Sequence, residues 1–205
     1  MGSVDPTPRK RPLDVLAKIL RILTLAPLVA LFVLLELYLH FPELLGGIQY
    51  LVVSIVFLVV FPLLAYPLQP IIPYFKDRGR DGQRSLAMLF AVGGYALGFV
   101  TALLSHASQI LLLLYLDYLL TATFLLISDK VFHLKASGHA AGATGPFFIL
   151  IYFLPSMLIA CLLMMAAVFW SSLHMKRHTI GQLFGGIGCT LLALVLSLLL
   201  CGFAL

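Results

Sequence analysis

Two short polar segments carry the residues that could do chemistry in this chain. Residues 135–139 read Lys-Ala-Ser-Gly-His, and residues 177–182 read Arg-His-Thr-Ile-Gly-Gln. A third polar segment, residues 76–84, supplies four more basic side chains: Lys76, Arg78, Arg80 and Arg84. Two histidines surrounded by fixed positive charge suit nucleophilic attack on a phosphate ester, with delivery of a proton to the leaving oxygen.

The residues around each histidine fit those two roles. Ser137 is a favourable N-cap residue, so a helix is expected to begin at Gly138. The free amides of that helix start would bind phosphate oxygens while His139 protonates the leaving alkoxide. Gln182 lies four residues after His178 and would accept a hydrogen bond from one imidazole nitrogen, which leaves the other nitrogen free as the nucleophile. The simpler interpretations are a capped helix with an interfacial histidine and a basic cluster that binds lipid headgroups.

The composition is that of a membrane protein. The 205 residues are 62% hydrophobic and 10% charged, whereas soluble domains carry roughly 25% charged residues. The mean hydropathy is +1.10. The net charge of +5 does not indicate nucleic-acid binding, because the basic residues lie in short connections between apolar runs. The three cysteines lie inside apolar runs, and no cluster has the spacing of metal ligands, so neither a metal nor another cofactor is expected.

Apolar runs long enough to cross a bilayer, which takes about 20 residues, follow one another along the chain. Seven candidate spans lie at about 20–40, 48–68, 86–104, 108–127, 139–154, 156–172 and 182–204. The expected fold is an all-α, polytopic transmembrane helical bundle of about six to seven spans. Residues 1–12 are expected to form a flexible basic tail, and residues 13–205 a single transmembrane domain. Within it, the amphipathic stretch 13–21 is expected to lie at the membrane interface.

The charged connections predict an orientation. All 13 lysine and arginine residues fall on one side of the predicted bundle, and the other side has none. The positive-inside rule places the basic side, with its three polar segments, in the cytoplasm. Loops that bind phosphate would be basic for a different reason, but the basic residues between Arg9 and Arg21 lie outside those loops and agree with this orientation.

Small residues follow each histidine and predict that the two motifs meet. Glycine and alanine dominate residues 138–145, and four glycines lie between positions 181 and 188. Such residues let helices approach closely, so the helices that begin at the two motifs should pack with their positive dipole ends at one place. Asp117, a carboxylate deep in the fourth candidate span, is a further candidate for a functional residue.

The order of these motifs resembles the phosphatidic acid phosphatase type 2 superfamily of membrane lipid phosphatases. A basic first motif, Ser-Gly-His at a helix start, two helices and a histidine at the next helix start together cover residues 76–190. The resemblance implies that His178 forms a phosphohistidine and that His139 is the acid. It also implies a set of phosphate-binding residues: Lys76, Arg78, Arg80, Arg84, Lys135, Ser137, Gly138 and Arg177. The patterns Lys-x-Ser-x-His and His-Thr-x-x-Gln are similar to a divergent prokaryotic branch of that family, with Gln182 orienting His178.

The expected function is therefore that of an integral-membrane lipid phosphatase. Its substrate would be a lipid phosphate or a polyprenyl diphosphate, hydrolysed without a metal because arginines supply the positive charge. Two alternatives stay open: transfer of the phosphoryl group to an alcohol, and a non-catalytic descendant that binds anionic lipids. The second alternative depends on two departures from the family pattern, Ser172 in place of an arginine and Gln182 in place of a carboxylate.

Overall fold

A computed structural model describes residues 11–203, and this part of the chain contains helices and connections but no strand. The helices, in order, are α1 (Pro12–Leu23), α2 (Ala26–His40), α3 (Pro42–Leu45), α4 (Ile48–Leu68), α5 (Pro73–Lys76), α6 (Gly79–Leu104), α7 (Gln109–Lys130), α8 (Gly138–Phe153), α9 (Leu158–His174) and α10 (Ile180–Leu200). The predicted basic tail lies outside the described residues up to position 10. Helix α1 begins at Pro12.

Within residues 11–203, five stretches are long and apolar enough to cross a membrane: α4, α6, α7, Pro155–His174 and α10. The pair α1 and α2, which is bent by 58° at Thr24 and Leu25, adds a sixth if it is counted as one span. The prediction of an all-helical bundle is confirmed, and several apolar helices are compatible with a multi-pass membrane protein. The fifth candidate, 139–154, forms α8, which is not counted among these stretches because its 16 residues are fewer than the about 20 of a typical span.

The short helix α8 is the central helix of the bundle. It packs against α2, α7, α9 and α10, and every residue from His139 to Phe147 is buried. Its small residues permit these contacts: a Cβ added at Gly142 would collide with the side chain of Ala26 at the start of α2. Because neighbours enclose α8 on several sides, the position of its first turn is fixed by packing.

The contacts between helix ends place the basic residues together. The starts of α8 and α10 meet at one end of the bundle, where the Ser137 amide donates to Gln182 O. At the opposite end, the hydroxyl of Tyr50 on α4 donates to Ser105 O in the turn between α6 and α7 at 2.8 Å. The lysine and arginine residues of the described chain lie at or near the first of these ends, which we call the basic end.

The basic segment 76–84 is only partly the connection that its composition predicts. Helix α6 begins at Gly79, which has a φ of +52°, so Arg80 and Arg84 lie on its first turns. Arg78 precedes the helix, and its guanidinium stacks on the ring of Tyr74 at 3.9 Å from the ring centroid. Part of the predicted basic connection is therefore helical, with Arg78 as the residue before α6 and Arg80 and Arg84 on the helix itself.

Asp117 lies inside the bundle without a partner. The residue is 1% exposed, and neither carboxylate oxygen has a hydrogen-bond partner within residues 11–203. It lies beside Gly145 of α8 and Thr190 of α10. An unpaired charge at such a place is strongly unfavourable, so the neutral acid is the form that this site can hold.

Asn is neutral and of similar size to the protonated acid. We therefore expect the free energy of unfolding of Asp117→Asn in detergent to lie within about 1 kcal/mol of the wild-type value. Thermal unfolding followed by circular dichroism at neutral pH measures this. A variant that fails to fold would contradict the prediction.

Candidate active site

The two histidine motifs meet at the basic end through their backbones. The Ser137 amide donates to the carbonyl of Gln182 at 2.8 Å, which joins the residue before α8 to the first turn of α10. A Cβ added at Gly186 would collide with the carbonyl of Ser137, so glycine is required for this approach. The predicted meeting of the two helix starts is confirmed.

Each helix start is held by a side-chain cap. Ser137 Oγ accepts a hydrogen bond from the Ala140 amide at 3.3 Å, which confirms its predicted capping role. Thr179 Oγ1 accepts from the Gln182 amide at 3.3 Å, and Gln182 Oε1 accepts in return from the Thr179 amide at 3.2 Å. This reciprocal pair is a capping box. Caps of this kind stabilise a helix start by about 1 kcal/mol. The backbone next to each histidine is therefore fixed in position.

The capping box also determines the tautomer of His178. The Thr179 amide can only donate, so the atom that it contacts on the Gln182 side chain must be the carbonyl oxygen. The same oxygen lies 3.2 Å from Nδ1 of His178, and an oxygen acceptor requires a hydrogen on that nitrogen. In the neutral ring Nε2 therefore has a free lone pair, which can attack an electrophile.

His139 is held by the bend between α1 and α2. The residue is 8% exposed, and its Nε2 lies 2.9 Å from Thr24 Oγ1. Thr24 donates its single hydroxyl hydrogen to Leu20 O at 2.8 Å, so its oxygen accepts from Nε2–H of His139. A substrate oxygen that takes this hydrogen must replace Thr24 as its acceptor.

Arg21 reaches the same place from the end of α1. Its Nη1 donates to Ser172 Oγ at 3.3 Å, and Ser172 is fully buried on α9. The positive charge of Arg21 acts on both His139 and His178. The sequence predicts Arg21 on the polar face of an interfacial helix, whereas the structure turns it toward the two histidines.

The environment of His178 favours its neutral form. Partial burial lowers the pKa of His178 from the usual 6.5; the hydrogen bond to Gln182 raises this pKa, and the charges of Arg21, Arg84 and Arg177 lower it. The net shift is downward. The imidazole is therefore unprotonated at neutral pH, and its nucleophilic form is lost as the pH falls through the lowered pKa.

The structure gathers only part of the predicted phosphate-binding set around the histidines. Arg84 and Arg177 lie close enough to act electrostatically on His178, and Arg80 acts on Arg21. Within the described chain, three predicted residues are not among the charges that act on either histidine or on Arg21: Lys76, Arg78 and Lys135.

The two predicted phosphate-binding residues before α8 differ in exposure. Ser137 is fully buried, and its hydroxyl oxygen serves as the helix cap. Gly138 is exposed beside it. A phosphate group at this helix start would therefore contact the Gly138 backbone first, and the Ser137 hydroxyl would remain behind it.

Comparison with known proteins found no relative from which a reaction could be inferred. No protein-family model, curated protein or solved structure matches the chain. Within residues 11–203, no group of three or more His, Cys, Asp or Glu side chains is placed to hold a metal ion. The groups present are a free imidazole nitrogen, a second imidazole with an N–H, and several guanidinium ions.

Two residues of the site, Arg21 and Thr24, are missing from the sequence prediction. Their partners Ser172 and His139 lie 151 and 115 positions away along the chain. The one signal that the sequence offers is that both are polar residues where the N-terminal apolar run begins, on the side of the other basic residues.

Proposed function

We propose that the protein is an integral-membrane lipid phosphatase that hydrolyses a lipid phosphate or a polyprenyl diphosphate through a phosphohistidine on His178. The observation that carries the proposal is the backbone contact between Ser137 and Gln182. It brings a free imidazole nitrogen, a second histidine and arginine charges to one place. The positive-inside rule favours a cytoplasmic site, because the basic end holds the lysines and arginines.

In the first step, Nε2 of His178 would form a bond to phosphorus while the bond from phosphorus to the lipid oxygen breaks. The electron pair of that bond stays on the lipid oxygen, which takes a proton from His139 and leaves as an alcohol or a lipid monophosphate. His139 enters this step as the imidazolium, which the negative charge of the bound phosphate would stabilise at its buried position. Arg84 and Arg177 would offset the negative charge on the phosphoryl oxygens as the transition state forms.

In the second step, water would attack phosphorus and give its proton to His139. The bond from phosphorus to Nε2 breaks, and its electron pair returns to His178. Inorganic phosphate leaves, and both histidines regain their starting protonation. The sum of the two steps is hydrolysis of one phosphate ester or anhydride bond by one water molecule.

Apolar side chains beside the site suit an amphiphilic substrate. Ile180 and Phe184 are exposed on the first turns of α10. In the sequence they lie two residues before and two residues after Gln182, which contacts His178. Leu173, near the end of α9, is exposed as well. A lipid tail on these side chains would place its phosphate at the level of the arginines and histidines.

Phosphate release by the purified full-length protein tests the proposal. We expect release from phosphatidate or farnesyl diphosphate in detergent with EDTA present. Added alcohols with analysis of phosphorylated products would detect the transferase alternative. A folded, monodisperse protein that neither releases nor transfers phosphate from either substrate would overturn the proposal.

The arginines of the first basic segment should differ in importance. Arg84→Ala is expected to lower kcat/KM by about 10²-fold, as for loss of one donor to a developing anion, because Arg84 acts on His178. Arg78→Ala should cost much less, since its guanidinium stacks on Tyr74. Steady-state kinetics of both variants measure this, with Lys130→Ala, an exposed residue at the end of α7, as the control. Equal losses in the two arginine variants would contradict the assignment.

A further inference from the structure

The end of the N-terminal helix is built into the histidine site. Arg21 contacts Ser172 on α9 at 3.3 Å, and Thr24 contacts His139 on α8 at 2.9 Å. Arg21 and Thr24 are three residues apart, so one helical turn touches two of the helices around the site. The bend at Thr24 and Leu25 separates this turn from the direction of α2.

Arg21 has few partners for a half-buried cation. The described chain offers its guanidinium one hydrogen bond, to the neutral hydroxyl of Ser172, although an arginine has several N–H donors. The ion pairs within residues 11–203 are His40 with Glu36 and His174 with Asp14, so neither involves an arginine. The charge of Arg21 is therefore not neutralised by a carboxylate of the described chain.

The charged neighbours of Arg21 are also positive, and its other titratable neighbour is the phenol of Tyr66. Arg177 and Arg80 both act on it, and Arg84 acts on the nearby His178. Arg21 is half-buried, whereas Arg80, Arg84 and Arg177 are exposed. An anion among these side chains would offset the repulsion that they exert on Arg21. The charge distribution of the site is thus complementary to a multiply charged anion.

We propose that Arg21 is a phosphate ligand of this site, and that its guanidinium binds oxygens of the phosphoryl group that His178 attacks. This inference rests on the proposed function. The planar guanidinium can bind two oxygens of a phosphate at once. With Arg84 and Arg177, it favours a terminal phosphate, which carries up to two negative charges, over a phosphodiester, which carries one.

Two other roles for Arg21 predict different behaviour. If Arg21 served to brace α9, its contact with Ser172 would be the important one, and removal of the serine hydroxyl would have the same effect as removal of the arginine. If it bound lipid headgroups at the membrane surface, the exposed Lys18 on the same helix would contribute similarly. These two residues therefore supply the matched controls.

The test compares Arg21→Gln, Arg21→Lys, Ser172→Ala and Lys18→Gln with the wild type, all as full-length proteins. Three quantities are measured: kcat/KM for phosphate release, protection of His178 from diethyl pyrocarbonate by tungstate, and the pKa of His178 from the pH dependence of that modification. Thermal unfolding shows that each variant is folded.

We expect Arg21→Gln to lower kcat/KM by about 10²- to 10³-fold and to weaken tungstate protection. The pKa of His178 should rise in this variant, because a positive neighbour is lost while Arg84, Arg177 and His139 remain around the ring. Arg21→Lys should keep the pKa low but still lose activity, since its ammonium cannot bind two oxygens as a planar fork. Ser172→Ala should lose much less activity than Arg21→Gln, because it removes one partner of the guanidinium and leaves the guanidinium itself. Lys18→Gln should resemble the wild type.

Each result supports or contradicts the assignment of Arg21 as a phosphate ligand. If Ser172→Ala loses as much activity as Arg21→Gln, or if Arg21→Gln is as active as the wild type while His178→Ala is inactive, Arg21 is not a phosphate ligand although the phosphatase proposal stands. If the wild type releases no phosphate, the phosphatase proposal fails. Weaker tungstate protection in Arg21→Gln would then support Arg21 as an anion ligand, and equal protection would overturn it. If Arg21→Gln does not fold, Arg21→Lys decides by the same comparisons.

Discussion

His178→Ala is expected to abolish phosphate release, with a loss on the order of 10⁴-fold or more in kcat. The capping box and the Gln182 side chain leave Nε2 of His178 as a free nucleophile, and alanine provides no atom to take its place. His139→Ala should also lose activity, by about 10²- to 10⁴-fold, because it removes the proton donor of the first step and the base of the second.

The two variants should differ in what they accumulate. With a radiolabelled polyprenyl diphosphate, whose leaving group depends less on protonation, His139→Ala should still form the phosphohistidine but hydrolyse it slowly. Labelled protein that is stable in alkali and lost in acid should therefore appear in His139→Ala and be absent from His178→Ala. The measurement is gel autoradiography after rapid quenching at high pH.

The control for these variants is His133→Asn, which alters an exposed histidine in the connection between α7 and α8. His133 has a φ of +54°, a conformation that asparagine tolerates better than alanine. This variant should keep wild-type activity. Label on His139 in place of His178, or full activity in His178→Ala, would refute the assigned roles.

The helix starts of the site could be predicted from the sequence because caps are local. Ser137 and Thr179 each lie within three residues of the amides that they accept from, so the sequence alone contains both partners. The close approach of α8 and α10 also left a sequence signal, since Gly186 is needed where the Ser137 carbonyl lies. Local capping chemistry and small residues were sufficient for this part of the site.

The contribution of α1 could not be predicted, because it depends on tertiary packing. Ala26 lies against Gly142 of α8, and the bend just before it turns Arg21 and Thr24 toward the histidines. Ser172 lies where the phosphatase family that these motifs resemble has an arginine, and the structure brings the guanidinium of Arg21 to that serine. Nothing in a single sequence indicates that Arg21 on α1 and Ser172 on α9 are neighbours in space.

Gly186→Ala is expected to lower kcat/KM by about 10²-fold, through displacement of the reacting groups by about 1 Å. The atoms that a Cβ at this position would meet are the carbonyl of Ser137 and the amide nitrogen of Ala141. Both belong to the backbone, so neither can rotate away as a flexible side chain would. The start of α8 must then move from α10, and His139 moves relative to His178. Overpacking of this kind also costs about 1–3 kcal/mol of stability.

Gly188→Ala is the matched control, because it makes the same change in the same helix where a Cβ would meet nothing within 4 Å. Alanine favours a helix over glycine by about 1 kcal/mol, so this variant should be at least as stable as the wild type and equally active. Phosphate-release kinetics and thermal unfolding of the two variants measure the difference. Equal activity in both would contradict the prediction and mean that the spacing of α8 and α10 does not determine the reaction. A loss confined to Gly186→Ala would instead tie catalysis to the distance between the two helix starts, because composition and helix propensity change identically in the two variants.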